Sequence, residues 1–171
     1  MKRGLVSLVL GASLIFTTVG CSNATNKEPD EVTQLKQERD ETASEINYLQ
    51  QVMFTNTDTT LVLEKMAVLF NEAEADPSIF TDRMWKYDLQ SAFKELRENY
   101  EELKDIPKEE IPSKHRTSHN NMVLGYEIFL ESESRIMEGV NTLNPDKLYE
   151  GIEFMTRGSG KVSQAMENMA K

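Results

Sequence analysis

The chain has 171 residues, of which 39% are hydrophobic, 8% aromatic and 28% charged. That is enough apolar material for one modest core, and five prolines with eight glycines are too few turn formers for an all-β fold. A formal charge of −10 argues against nucleic acid as a partner, and against purely electrostatic attachment to anionic lipid, since both need clustered Lys and Arg.

The N-terminus is organised differently from the rest. Lys2 and Arg3 form a basic start, Leu5 to Phe16 is an apolar run of 12 residues, and Thr17 to Gly20 lead into Cys21, the single cysteine. The layout is that of a secretory signal, and the run is shorter than the roughly 20 residues a transmembrane helix needs. Thr18-Val19-Gly20-Cys21 resembles the lipobox of bacterial lipoproteins, with a serviceable aliphatic residue and a matching Gly-Cys pair; Thr18 stands where leucine is usual. The resemblance covers only this segment. It implies cleavage between Gly20 and Cys21, a diacylglycerol group on the Cys21 thiol, and a chain held at the outer face of the cell membrane, as in Gram-positive cells. Two acyl chains give stable anchoring where one is marginal. Cleavage removes Lys2 and Arg3, leaving 17 basic against 29 acidic residues, or −12. The expected organisation is a signal peptide at 1–20, an acylated cysteine and polar tether at 21–30, and a helical domain at 31–171.

From Asp30 to Asp76 there is neither Gly nor Pro. Steps of three and four residues trace Leu35, Arg39, Thr42, Ile46, Leu49, Met53, Asn56, Thr60, Leu63, Ala67 and Phe70, one heptad phase that predicts a long first helix over about 30–75. Thr55 to Thr60 (TNTDTT) is its weak point, a run of poor helix formers. Asp76-Pro77 reads as a cap followed by a first-turn proline. A second helix starts at Thr81 or Asp82, with Trp85, Leu89, Ala92, Phe93, Leu96, Tyr100 and Leu103 on one face. Pro107 and Pro112 bracket an extended connector after Asp105. The third helix is expected over 113–143 with a seam of His119, Met122, Tyr126, Phe129, Glu133, Ile136, Val140 and Leu143. Asn144-Pro145 repeats the start signal, and the fourth helix presents Leu148, Ile152, Met155, Ser159, Val162, Met166 and Met169. The fold expected is an all-α antiparallel bundle of about four helices whose apolar stripes close on one another.

Few residues invite chemistry. His115 and His119 stand four apart and are the only histidines; the pair is a weak zinc candidate, because a site needs at least three ligands. Ser91 and Lys94 match SxxK formally, without its companion motifs, and read as a solvent-edge pair. No P-loop, GxSxG, CxxC or dinucleotide fingerprint occurs. Gly151 and Gly158 lie seven apart on one helical face, predicting close packing against a bulky neighbour such as Trp85 or Tyr126, with an open groove as the alternative; Gly158-Ser159-Gly160 is a possible kink. Met155, Met166 and Met169 are expected in the core, with an adaptable binding surface as the other reading. The acidic groups Glu72, Glu74 and Asp76, Glu98, Glu101 and Glu102, and Glu109 and Glu110 read as solvated surface.

The function expected is a non-enzymatic, lipid-anchored binding module with no cofactor, facing a protein or envelope partner. The alternatives are a metal-dependent hydrolase built on His115 and His119, and an envelope protein that self-associates through its first helix.

Overall fold

The computed structural model describes residues 28–171, with side chains from Val32 onward except that of Pro145. The signal segment, the lipobox and the cysteine-bearing tether lie outside the described residues.

The fold is an all-α bundle. α1 spans Glu28–Ala75, α2 Arg83–Lys104, α3 Arg116–Thr142 and α4 Pro145–Met169, with short 3-10 turns at Pro77–Thr81 and Ser113–His115. The capping residues act where the sequence places them. Asp76 accepts from the Ser78 amide, Asp82 from the Met84 and Trp85 amides, and Asn144 from the Asp146 and Lys147 amides, each satisfying donors that a helix start leaves unpaired. The connector after Asp105 is more compact than an extended link. The Glu110 amide donates to the Pro107 carbonyl, and Ile106 and Ile111 are buried.

α1 continues through its weak segment. Thr55, Thr57 and Thr60 donate their hydroxyls to carbonyls four residues back, at 3.2, 2.8 and 2.9 Å, so these residues satisfy themselves within the helix rather than breaking it. The buried seam of α1 lies one residue before the heptad phase expected from sequence. It comprises Tyr48, Val52, Thr55, Thr59, Val62, Met66, Leu69 and Ala73, whereas Leu35, Ile46 and Met53 are exposed. Two apolar stripes adjoin on this helix, and the one carrying Thr55 and Thr59 faces the core because Thr59 has buried hydrogen-bond partners there.

On α2 every residue expected inside is buried, from Trp85 to Leu103, together with Asn99. The Trp85 indole N–H donates to the Leu69 carbonyl at 3.2 Å, and Phe80 meets its ring edge-on. α3 buries His119, Met122, Tyr126, Phe129, Ile136 and Val140 as expected. Glu133 stays half-buried and pairs with Arg97 of α2 at 2.6 Å. Leu143 lies outside the core, 58% exposed, as the C-cap of α3 with φ of 54°.

α4 packs almost wholly on α3, and glycine is the reason. A Cβ on Gly139 would stand 2.6 Å from the Leu148 amide nitrogen, one on Gly125 would stand 2.7 Å from a Val162 methyl, and one on Gly158 would stand 2.8 Å from the Gly125 carbonyl oxygen. Gly151 lies against Ile136 in the same way. The close packing expected of Gly151 and Gly158 is present, but against Ile136 and Phe129 of α3 rather than Trp85 or Tyr126. Gly160 meets nothing, and α4 runs through Gly158-Ser159-Gly160 unbroken.

α1 is about 72 Å long at 1.5 Å per residue, against about 40 Å for α3. Residues 32–44 are all exposed, so the first part of α1 projects beyond the bundle.

Candidate functional site

Adjacent helices are tied together across three seams. Lys65 pairs with Glu95 at 2.7 Å between α1 and α2, Arg97 with Glu133 between α2 and α3, and Arg135 with Glu150 at 3.0 Å between α3 and α4. The fourth seam, between α1 and α4, is different. No ion pair or side-chain hydrogen bond among the described residues is found across it, and the two backbones scarcely approach. The apolar stripes therefore do not close on one another as expected: drawing α4 tightly onto α3 leaves an open cleft on the α1 side.

This cleft is a continuous groove in three sections that share lining residues. Phe70, Phe80, Leu143, Leu148, Tyr149 and Ile152 line one end, which encloses about 520 Å³. Leu63, Met66, Ala67, Phe129 and Met155 line the middle. Asn56, Thr60, Ser159, Val162 and Met166 line the far end. The expected methionine core divides accordingly: Met169 is buried, while Met155 and Met166 are half-buried along the groove. Flexible, polarisable thioethers on a half-open wall suit a surface that adapts to its occupant. Leu63, Ala67 and Phe70, assigned from sequence to the seam of α1, stand on this groove wall.

Behind Thr59, which lines the far end of the groove, runs a buried polar chain. Asn99 Nδ2 donates to Thr59 Oγ1 at 3.0 Å, Thr59 Oγ1 lies 2.6 Å from the Tyr126 hydroxyl, and that hydroxyl donates to the Thr55 carbonyl at 3.4 Å. One direction satisfies all three bonds: Asn99 to Thr59, Thr59 to Tyr126, Tyr126 to Thr55. Burial pushes the Tyr126 hydroxyl up to about 12, partly offset by the bond to Thr59, so it is a fixed donor at neutral pH. Sequence reasoning missed this group; its signal is the pair Thr55 and Thr59, four apart in one phase with Val52 and Val62.

His115 and His119 are both buried, but not as a metal pair on one helix. His115 ends the Ser113–His115 turn, and only His119 lies in α3. Each is occupied by α1. His115 Nε2 lies 3.2 Å from Glu45, which also binds Lys114 at 2.7 Å. His119 Nδ1 lies 3.3 Å from the Tyr48 hydroxyl, and the Tyr48 ring stacks on His115. No group of three or more His, Cys, Asp or Glu among the described residues is placed to hold a metal ion. Ser91 is half-buried, while Lys94 is exposed and bridges Glu98 at 3.3 Å.

This cluster makes stability depend on pH. Burial lowers the His119 pKa below 6.5, so the folded chain binds fewer protons there than the unfolded chain does. Its contribution is present above about pH 6.5 and is lost as pH falls through the folded value. Glu45 is held below its usual 4.5 by hydrogen bonds from Lys114 and then His115, so its loss comes at lower pH. The urea midpoint is expected to fall between about pH 7.5 and about pH 5.5 in the parent, and His119→Gln to flatten that interval. An unchanged slope in the variant would assign it to other groups.

No helix among the described residues is long and apolar enough to cross a membrane. No family model, curated protein or solved structure matches this chain. The class that the fold defines is an all-α bundle with one seam open.

Proposed function

We propose that this chain is a lipid-anchored, extracytoplasmic interaction module without catalytic activity, and that the α1/α4 groove is its recognition surface. The observation that carries the reading is the open apolar seam: the other three seams are bridged by ion pairs, and this one presents a wall of apolar side chains that the fold leaves half covered. The sequence around Cys21 supports the anchor. In that arrangement the exposed stretch 32–44 acts as a stalk between tether and bundle, and confinement near the bilayer raises the effective concentration for a membrane or wall-associated partner. The buried histidines support a structural role over catalysis, because one ring nitrogen of each is engaged by α1, His119 Nδ1 by Tyr48 and His115 Nε2 by Glu45.

Two measurements test this. The mass of the intact protein extracted from membranes is expected to correspond to a chain beginning at Cys21 and bearing diacylglycerol; an unmodified chain would remove the anchor. A photo-crosslinking amino acid at Ala67 or Met155 is expected to give adducts in cells, and the same group at Glu98 on the outer face of α2 none. Silence at both groove positions would end the assignment of the groove.

A further inference from the structure

The groove walls restrict what can occupy them. Across the three sections the only charged residues lining the groove are Glu74 at one end and Glu167 at the other; no Lys or Arg contributes. Both carboxylates are exposed, and neither has an ion-pair partner among the described residues. Three cations of α3 and α4 are committed elsewhere: Arg135 and Lys147 bind Glu150, and Arg135 and Arg157 lie over the Phe154 ring. Arg116 and Lys161 do not line the groove. Because α1 and α4 run antiparallel along the groove, Glu167 stands opposite the Asn56 region of α1. The two carboxylates are therefore separated by roughly eighteen residues of helix, or about 27 Å.

We propose that the groove receives an amphipathic helix of a partner protein, about five turns long, with an apolar stripe facing the groove and Lys or Arg near both ends. This rests on the reading of the groove as the recognition surface and specifies its occupant. The apolar stripe fits the wall of Leu63, Ala67, Phe70, Ile152, Met155 and Met166, and the terminal cations neutralise the two free carboxylates. A fatty acid or an anionic phospholipid would bring a negative group to a carboxylate at either end. The α1 of a second copy brings acidic ends, since Glu28, Asp30 and Glu31 open it while Glu72 and Glu74 close it; its α2 has basic ends, but the apolar stripe of α2 is already buried in its own bundle.

Leu143 gives independent support. Its φ of 54° is a left-handed conformation that favours glycine. At 58% exposure its side chain gains little burial in the free protein, yet it lines the groove at the Glu74 end. A leucine there has value once an apolar occupant covers it.

The test uses the full chain in phosphatidylcholine nanodiscs, with empty discs as blank. Two labelled eighteen-residue peptides share one leucine stripe; one carries two lysines at each end and the other two glutamates. The lysine peptide is expected to bind about tenfold more tightly, on the order of one ion pair at each end. The double variant Glu74→Lys/Glu167→Lys, at exposed positions that leave the core intact, is expected to reverse the preference. Leu143→Gly is expected to weaken the lysine peptide without lowering the unfolding midpoint. Equal affinities, or a preference that survives charge reversal, would overturn the proposal. So would uptake of palmitate with no peptide binding, which would make the occupant a lipid, or dimers in sedimentation that exclude the peptide, which would make it a second copy. If neither peptide binds but groove crosslinks still form in cells, the occupant is wrong and the recognition surface stands; if the crosslinks are also absent, both fall.

Discussion

Gly158→Ala and Gly160→Ala, two residues apart on one helix, are expected to change stability in opposite directions. At Gly158 the new methyl would stand 2.8 Å from the Gly125 carbonyl oxygen and 2.9 Å from the Phe129 ring. The first obstacle is backbone and cannot rotate away, so α4 must shift along its whole contact with α3. Overpacking of this kind costs about 1–3 kcal/mol, well above the helix-propensity gain of at most about 1 kcal/mol. At Gly160 nothing lies within 4 Å, so the propensity gain stands alone and stability is expected to rise by up to about 1 kcal/mol. Urea unfolding of the two variants beside the parent decides the matter. Midpoints that move in the same direction would mean that the α3/α4 approach is looser than described.

The second large effect is expected at Thr59. Thr59→Val keeps the side-chain shape and removes the hydroxyl that accepts from Asn99 and meets Tyr126. Asn99 is left without its acceptor, at about 1–3 kcal/mol, and Tyr126 loses the bond it accepts but keeps the one to Thr55, at about 1 kcal/mol, for an expected loss of about 2–4 kcal/mol. Tyr126→Phe removes one of these two groups. The double variant should therefore lose less than the two single losses combined, by about 1 kcal/mol or more. Strict additivity in the cycle would mean that the three side chains do not act as one network, and the phase of α1 would then need another cause.

That phase is where sequence and structure part. The helix boundaries were legible because Asp76-Pro77, Asp82 and Asn144-Pro145 act locally, and a cap needs no knowledge of the rest of the chain. The α2 stripe was legible because its other faces are charged, leaving one candidate. α1 offers two apolar stripes one residue apart, each interrupted by polar residues, Asn56 and Thr60 in one and Thr55 and Thr59 in the other, and the heptad reading through Leu49, Met53 and Leu63 chooses the first. The polar partners that reverse this choice, Asn99 and Tyr126, lie 40 and 67 residues away. The groove was hidden for a related reason. Its wall residues Leu63, Ala67 and Phe70 read as seam, and only the distance between α1 and α4 distinguishes a closed seam from an open one. Gly151 and Gly158 gave part of that signal, but their counterparts Gly125 and Gly139 on α3 were needed to show which neighbour they approach.

The glycine contact between α3 and α4 also acts at a distance from itself. The width of the α1/α4 cleft is gauged from behind, by four positions that an occupant of the cleft does not reach. A change at Gly125, Gly139, Gly151 or Gly158 would retune the width of the cleft while leaving the identity of every lining side chain as it is. Because the same four positions also set the close packing of α4 on α3, the width of the cleft and the robustness of the bundle are coupled: a lineage or a designer altering one necessarily alters the other.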